Sequence, residues 1–64
     1  MIINGKEMDF ETKITISEML KKLGLAEEKV VAEVNFKIIS KEEYKEYVLD
    51  QSDKVEIVSF VGGG

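Results

Sequence analysis

The chain has 64 residues, 44% hydrophobic and 34% charged, with no proline, which describes one small globular domain rather than a charge-dominated disordered chain. Nine Lys+Arg against thirteen Asp+Glu give a net charge of −4, and the absence of any basic stripe argues against a nucleic-acid partner. Cysteine and histidine are both missing, which removes disulfides, thiolate or imidazole metal sites, and Cys/His or Ser/His catalysis within the chain.

No signal-peptide pattern and no apolar run of bilayer length is visible. The expectation is therefore a cytoplasmic, soluble protein that is not an enzyme in its own right. In chain order, "MIINGKEMDF" predicts a hairpin. Met1 and Ile3 alternate on one face, Asn4-Gly5 is a turn pair tolerant of positive φ, and Lys6, Met8 and Phe10 alternate with Glu7 and Asp9. Asn4-Gly5 is a turn and carries no phosphate-loop signal.

"ITISEMLKKLGL" predicts a helix. Thr15 and Glu18 form a T-x-x-E capping box, and Ile16, Met19, Leu20 and Leu23 fall at i, i+3, i+4, i+7 on one face. Lys21 and Lys22 suit the last turn, and Gly24 suits the position just past it. "KVVAEVN" predicts a strand with Val30, Ala32 and Val34 on one face. Ser40 to Glu43 repeat the capping-box pattern and predict a short helical turn through about Tyr47, with Tyr44 and Tyr47 covering the edge of the core. Glu27-Glu28 and Glu42-Glu43 are expected to be solvated surface.

After a turn at "QSD", residues 54–60 predict a last strand with Val55 and Ile57 on one face and Glu56, Val58 and Phe60 on the other. A hairpin, one long helix and further strands imply an α+β fold, with the first and last strands parallel at the sheet centre. The sequence then closes on "VSFVGGG". An apolar run leading into Gly62, Gly63 and Gly64 is an unusual ending, because frayed ends are ordinarily polar.

"MIINGKE", "ITISEMLKKLGL", "VVAEVN" and "DKVEIVSFVGGG", together with the length, resemble the thiamine-biosynthesis sulfur carrier family (ThiS family) across essentially the whole chain. The sequence departs from that pattern at Phe36, where relatives usually carry glycine after the asparagine, and at Gln51-Ser52-Asp53, where they often have Asp-Gly-Asp. The resemblance implies a ubiquitin-like β-grasp fold: a mixed four- to five-stranded sheet on one main helix, with a short second helical turn. Residues 1–61 would form the domain and 62–64 a flexible glycine tail.

The resemblance also implies a chemistry. A ubiquitin-activating-like adenylating enzyme, using ATP and magnesium, would transfer AMP to the Gly64 carboxylate. Sulfur from a donor such as a cysteine desulfurase relay would then give a terminal thiocarboxylate, and thiazole synthase would take that sulfur. The carrier would bind no cofactor of its own and would be monomeric when free.

A carboxylate is an anion at neutral pH and a poor electrophile, so it needs a leaving group before sulfur can attack. Gly62, Gly63 and Gly64 would reach about 10 Å at roughly 3.3–3.6 Å per residue, and lacking Cβ atoms they would thread a narrow channel. Val58 and Phe60, opposite the predicted core face, with Ile2, opposite Met1 and Ile3, are the candidate partner-binding patch. Sulfur carriage into molybdopterin synthesis, a protein modifier joined through Gly64, and a plain ubiquitin-like binding module are the alternatives.

Overall fold

The computed structural model describes residues 1–10 and 13–60. Among the described residues the fold has five strands, one α-helix and two short 3₁₀ turns. The elements are β1 (Ile2–Ile3), β2 (Lys6–Glu7), α1 (Ile16–Leu23), a 3₁₀ turn at Glu27–Lys29, β3 (Val30–Val34), β4 (Lys37–Ile39), a second 3₁₀ turn at Lys41–Glu43, and β5 (Lys54–Ser59). The strands form one sheet in the order β2-β1-β5-β3-β4. β1 and β5 run parallel, as the crossover through α1 requires, and the other pairings are antiparallel. This is the expected mixed sheet packed on one helix.

α1 forms where both ends are chemically closed. Thr15 Oγ1 accepts from the Glu18 N–H at 3.1 Å while Glu18 Oε1 accepts from the Thr15 N–H at 2.9 Å, so the capping box is complete. At the other end Gly24 takes a left-handed φ of 76°. Its N–H donates to the Lys21 carbonyl at 3.1 Å and the Leu25 N–H to that of Leu20 at 2.9 Å, which together close the helix in a Schellman motif. With only eight residues, α1 is too short to persist alone. It is held by Ile16, Met19 and Leu20, all fully buried against Val30, Ala32 and Val34 of β3 and Val55 and Ile57 of β5. Each such large side chain contributes about 1.5–3 kcal/mol by leaving water.

Two asparagines turn the hairpins. Asn4 (φ 51°) follows β1, and its amide reaches across to β5, accepting from the Ile57 N–H at 2.7 Å and donating to the Ile57 carbonyl at 3.2 Å. Asn35 (φ 52°) follows β3. Its Oδ1 accepts from the Lys54 N–H at 3.0 Å and its Nδ2 donates to Asp53 Oδ1 at 2.9 Å. Each amide thereby extends a ladder past the residue where its strand ends.

Four local expectations change. The first hairpin is shorter than the alternation to Phe10 suggested: β2 stops at Glu7, although Met8 and Phe10 still lie half-buried on the core. A strand the sequence did not announce, β4, pairs with β3 through Ala32–Ile39, Glu33–Ile38 and Val34–Lys37. The Ser40–Glu43 segment is a 3₁₀ turn without a side-chain cap; the Ser40 hydroxyl donates instead to the Glu43 carboxylate at 3.0 Å. Tyr44 lies within the core rather than at its edge, 1% exposed, with its hydroxyl accepting from the Ala32 N–H at 3.0 Å. Tyr47 is half-buried. No helix among the described residues is long and apolar enough to cross a membrane.

Candidate functional site

The site is built on the central strand, β5, which is paired with β1 on one side and β3 on the other. Its alternation sends Val55 and Ile57 into the core beneath α1 and leaves Lys54, Glu56 and Val58 on the opposite, uncovered face. Val58 is 60% exposed and stands across from half-buried Val31 of β3. Ile2, paired with Lys54, is half-buried on the same face, because its neighbours Met1 and Ile3 fill the core.

Phe60 comes one residue after the strand and is 54% exposed. Its position is nonetheless fixed. Its N–H donates to the Lys29 carbonyl at 3.0 Å, and the Lys41 ammonium lies 5.2 Å from its ring centroid, within cation–π range. The same ammonium donates to the Glu28 carbonyl at 2.9 Å. Both 3₁₀ turns therefore grip the point from which residues 61–64 continue, a bracing that sequence reading missed because it joins segments far apart in the chain. Gly62, Gly63 and Gly64, the expected reactive tail, lie outside the described residues.

Among the described residues there is no group of three or more acidic side chains placed to hold a metal ion. The carboxyl of Asp50 is held below its ordinary range by the Ser52 hydroxyl at 2.6 Å and the Ser52 N–H at 3.0 Å. It lies in the turn that leads into β5, beside Asp53, whose carboxylate accepts from the Asp50 N–H at 2.8 Å. That arrangement orders the turn standing where Asp-Gly-Asp was expected.

Comparison with known proteins gives a consistent result. The ThiS family model matches residues 1–64. The chain is 41% identical over 63 residues to the sulfur carrier protein ThiS of Bacillus subtilis, covering 97% of this chain and 96% of that one. A crystal structure of the thiamine biosynthesis protein ThiS from Geobacter metallireducens superposes with a TM-score of 0.79 at 30% identity, covering 98% of this chain and 96% of that one. The chain is also 39% identical over 64 residues to a thiazole synthase of Paramagnetospirillum magneticum and over 62 residues to one of Magnetococcus marinus. It spans about a fifth of the length of those two proteins, 20% and 19%. With the whole sequence matched and the β-grasp architecture shared, the chain belongs to the ThiS family.

Proposed function

We propose that this chain carries sulfur for thiazole formation in thiamine biosynthesis, with the carboxylate of Gly64 as the carrying group. The observation that supports this most is the full-length match to the ThiS family. In the first step a carboxylate oxygen attacks the α-phosphorus of ATP on a partner enzyme, and pyrophosphate leaves with its magnesium. The mixed anhydride has AMP as its leaving group. The outer sulfur of a persulfide on the donor then adds to the carbonyl carbon and expels AMP, which takes one of the original carboxylate oxygens with it. A thiol then attacks the donor-side sulfur of the resulting acyl disulfide, forming a disulfide with the donor cysteine and releasing the carbonyl-bound sulfur, the thiol supplying the two electrons. The product is a thiocarboxylate, a good nucleophile towards the next acceptor.

The chain supplies the reacting terminus and a docking surface; ATP and magnesium belong to the adenylating partner. Ile2, Val58 and Phe60 are the side chains we assign to docking, supported by the exposure of Val58 and Phe60 at the exit of the central strand. Thiazole synthase is the acceptor we assign, supported by the two thiazole synthases that contain a domain of this kind. A cysteine desulfurase relay is the assigned sulfur donor, and the cytoplasm is the compartment in which these partners meet.

The test is intact-protein mass spectrometry after incubation with the adenylating enzyme, ATP, magnesium and a sulfur source. A mass gain equal to replacing one oxygen by sulfur, located to Gly64 by fragmentation, is the expected result. An unchanged mass under conditions that modify the Bacillus relative would refute the reading, and higher-mass covalent conjugates would mark a modifier instead.

A further inference from the structure

Ile3 and Lys6 pair across the first hairpin, so Asn4 and Gly5 alone make its loop. Both are held at positive φ, 51° and 81°, the combination of a two-residue type I′ turn. The Asn4 N–H donates to the Val55 carbonyl at 2.9 Å. β1 ends one residue earlier, at Ile3, so the main-chain ladder to β5 would stop there. The Asn4 side chain carries it one rung further: Oδ1 accepts from the Ile57 N–H at 2.7 Å and Nδ2 donates to the Ile57 carbonyl at 3.2 Å. Both ends of one amide are thus committed to the central strand.

The same amide is chemically labile, because the residue after it is glycine. Attack by the Gly5 nitrogen on Asn4 Cγ closes a five-membered ring, and no Cβ on residue 5 shields that nitrogen. The N–Cγ bond forms, the Cγ–Nδ2 bond breaks, and the proton from the Gly5 nitrogen leaves with Nδ2 as ammonia. Water then opens the cyclic imide. Opening at Cγ gives aspartate; opening at the main-chain carbonyl gives isoaspartate, whose backbone runs through the side chain and is one carbon longer. No oxidant or reductant takes part. Ring closure draws Cγ onto the Gly5 nitrogen and makes it tetrahedral, which the planar amide cannot do while both its ends are bonded to Ile57. Crowding plays no part, since a Cβ built on Gly5 would meet nothing within 4 Å.

We propose that Asn4 is a deamidation site gated by its two bonds to Ile57, so that the folded domain protects an amide that the opened chain loses for good. The proposal is independent of the carrier reading. Neither product restores what is lost. A carboxylate at position 4 still accepts from the Ile57 N–H, but its second oxygen has no proton to give the Ile57 carbonyl. That part-buried acceptor loses its side-chain donor and faces a negative charge. Isoaspartate lengthens a loop whose two residues fix the Ile3–Lys6 register. Asn35, the other asparagine of the chain, provides a contrast. Its amide is also held, by the Lys54 N–H at 3.0 Å and Asp53 Oδ1 at 2.9 Å, but its attacking nitrogen would be that of Phe36, shielded by a bulky side chain. Opening of the domain therefore leaves its mark at residue 4 and not at residue 35.

The experiment incubates the full chain at mildly alkaline pH, folded in buffer or unfolded in guanidinium chloride, and follows exchange of an amide NH₂ for OH by peptide mapping. Conversion at Asn4 is expected to run about thirtyfold faster in the unfolded chain, the factor for two hydrogen bonds that must break first. Both aspartate and isoaspartate should form at residue 4 while Asn35 stays intact. In the unfolded chain Gly5→Ala should slow the reaction. Asn4→Asp, which installs one product directly, is expected to unfold about 5 °C below wild type. Equal rates in the folded and unfolded chains overturn the gating. Conversion of Asn35 before Asn4, or an unfolded Gly5→Ala chain that reacts as fast as wild type, overturns the site. An Asn4→Asp protein as stable as wild type overturns the permanent loss.

Discussion

Phe36 shows how one residue can burden a small domain. It is the second of two consecutive positive-φ residues in the turn between β3 and β4, after Asn35. A left-handed backbone costs a residue with a Cβ about 1–2 kcal/mol, and asparagine tolerates it better than phenylalanine. Phe36→Gly removes that strain. The gain is offset by about 0.4–1 kcal/mol for the greater freedom of glycine in the unfolded chain and by about 0.5 kcal/mol for the lost Lys54 contact. The expected net effect is a stabilisation of about 0.5 kcal/mol, read as a rise of about 2–4 °C in Tm. A lower Tm would show that the Phe36 ring contributes more to the folded domain than its 81% exposure implies.

At the scale of elements, α1 depends on its ends. The reciprocal Thr15–Glu18 bonds satisfy two backbone donors in a helix of only eight residues. Thr15→Ala should cost about 1 kcal/mol and Thr15→Ser a few tenths, measured by urea denaturation at constant m-value. Equal stability of the two variants would mean that packing alone holds the first turn. This helix was legible in the sequence because capping and a 3.6-residue period are local signals, and the buried faces of β3 and β5 were legible through simple alternation. β4 was not, for two reasons: it is three residues long, and Phe36 occupies the turn position where glycine would have announced a hairpin. The second helical segment was misread in detail because Ser40 and Glu43 bond to each other rather than to the backbone. The Tyr44 hydroxyl on the Ala32 N–H was hidden for another reason, since its partner is set by tertiary packing alone. In the candidate site, alternation revealed the exposure of Val58, but the grip of Lys29 and Lys41 on Phe60 depends on contacts between segments distant in the chain.

Across the whole molecule, the proposed function divides labour between a body that docks and a tail that reacts, and the two can be separated kinetically. α1 covers one face of the sheet, so the core loses little when the other face is altered. Val58 and Phe60 are each more than half exposed, and the combined Val58→Ser and Phe60→Ala change should shift stability by no more than about 1 kcal/mol. If these side chains hold the partner, that variant should raise KM for adenylation about tenfold, corresponding to about 1.4 kcal/mol of binding, with kcat retained. Gly64→Ala should do the reverse, because its methyl sits beside the reacting carbonyl and leaves the docking face intact: kcat falls sharply while KM and Tm stay near wild type. Pyrophosphate release measured over a range of carrier concentrations distinguishes the two. A body variant that loses kcat, or a tail variant that loses only KM, would show that docking and chemistry are not separable in this domain. In that case residues 62–64 would contribute to affinity, which side-chain-free residues can do only through their backbone, at an ordering cost of about 1–2 kcal/mol each.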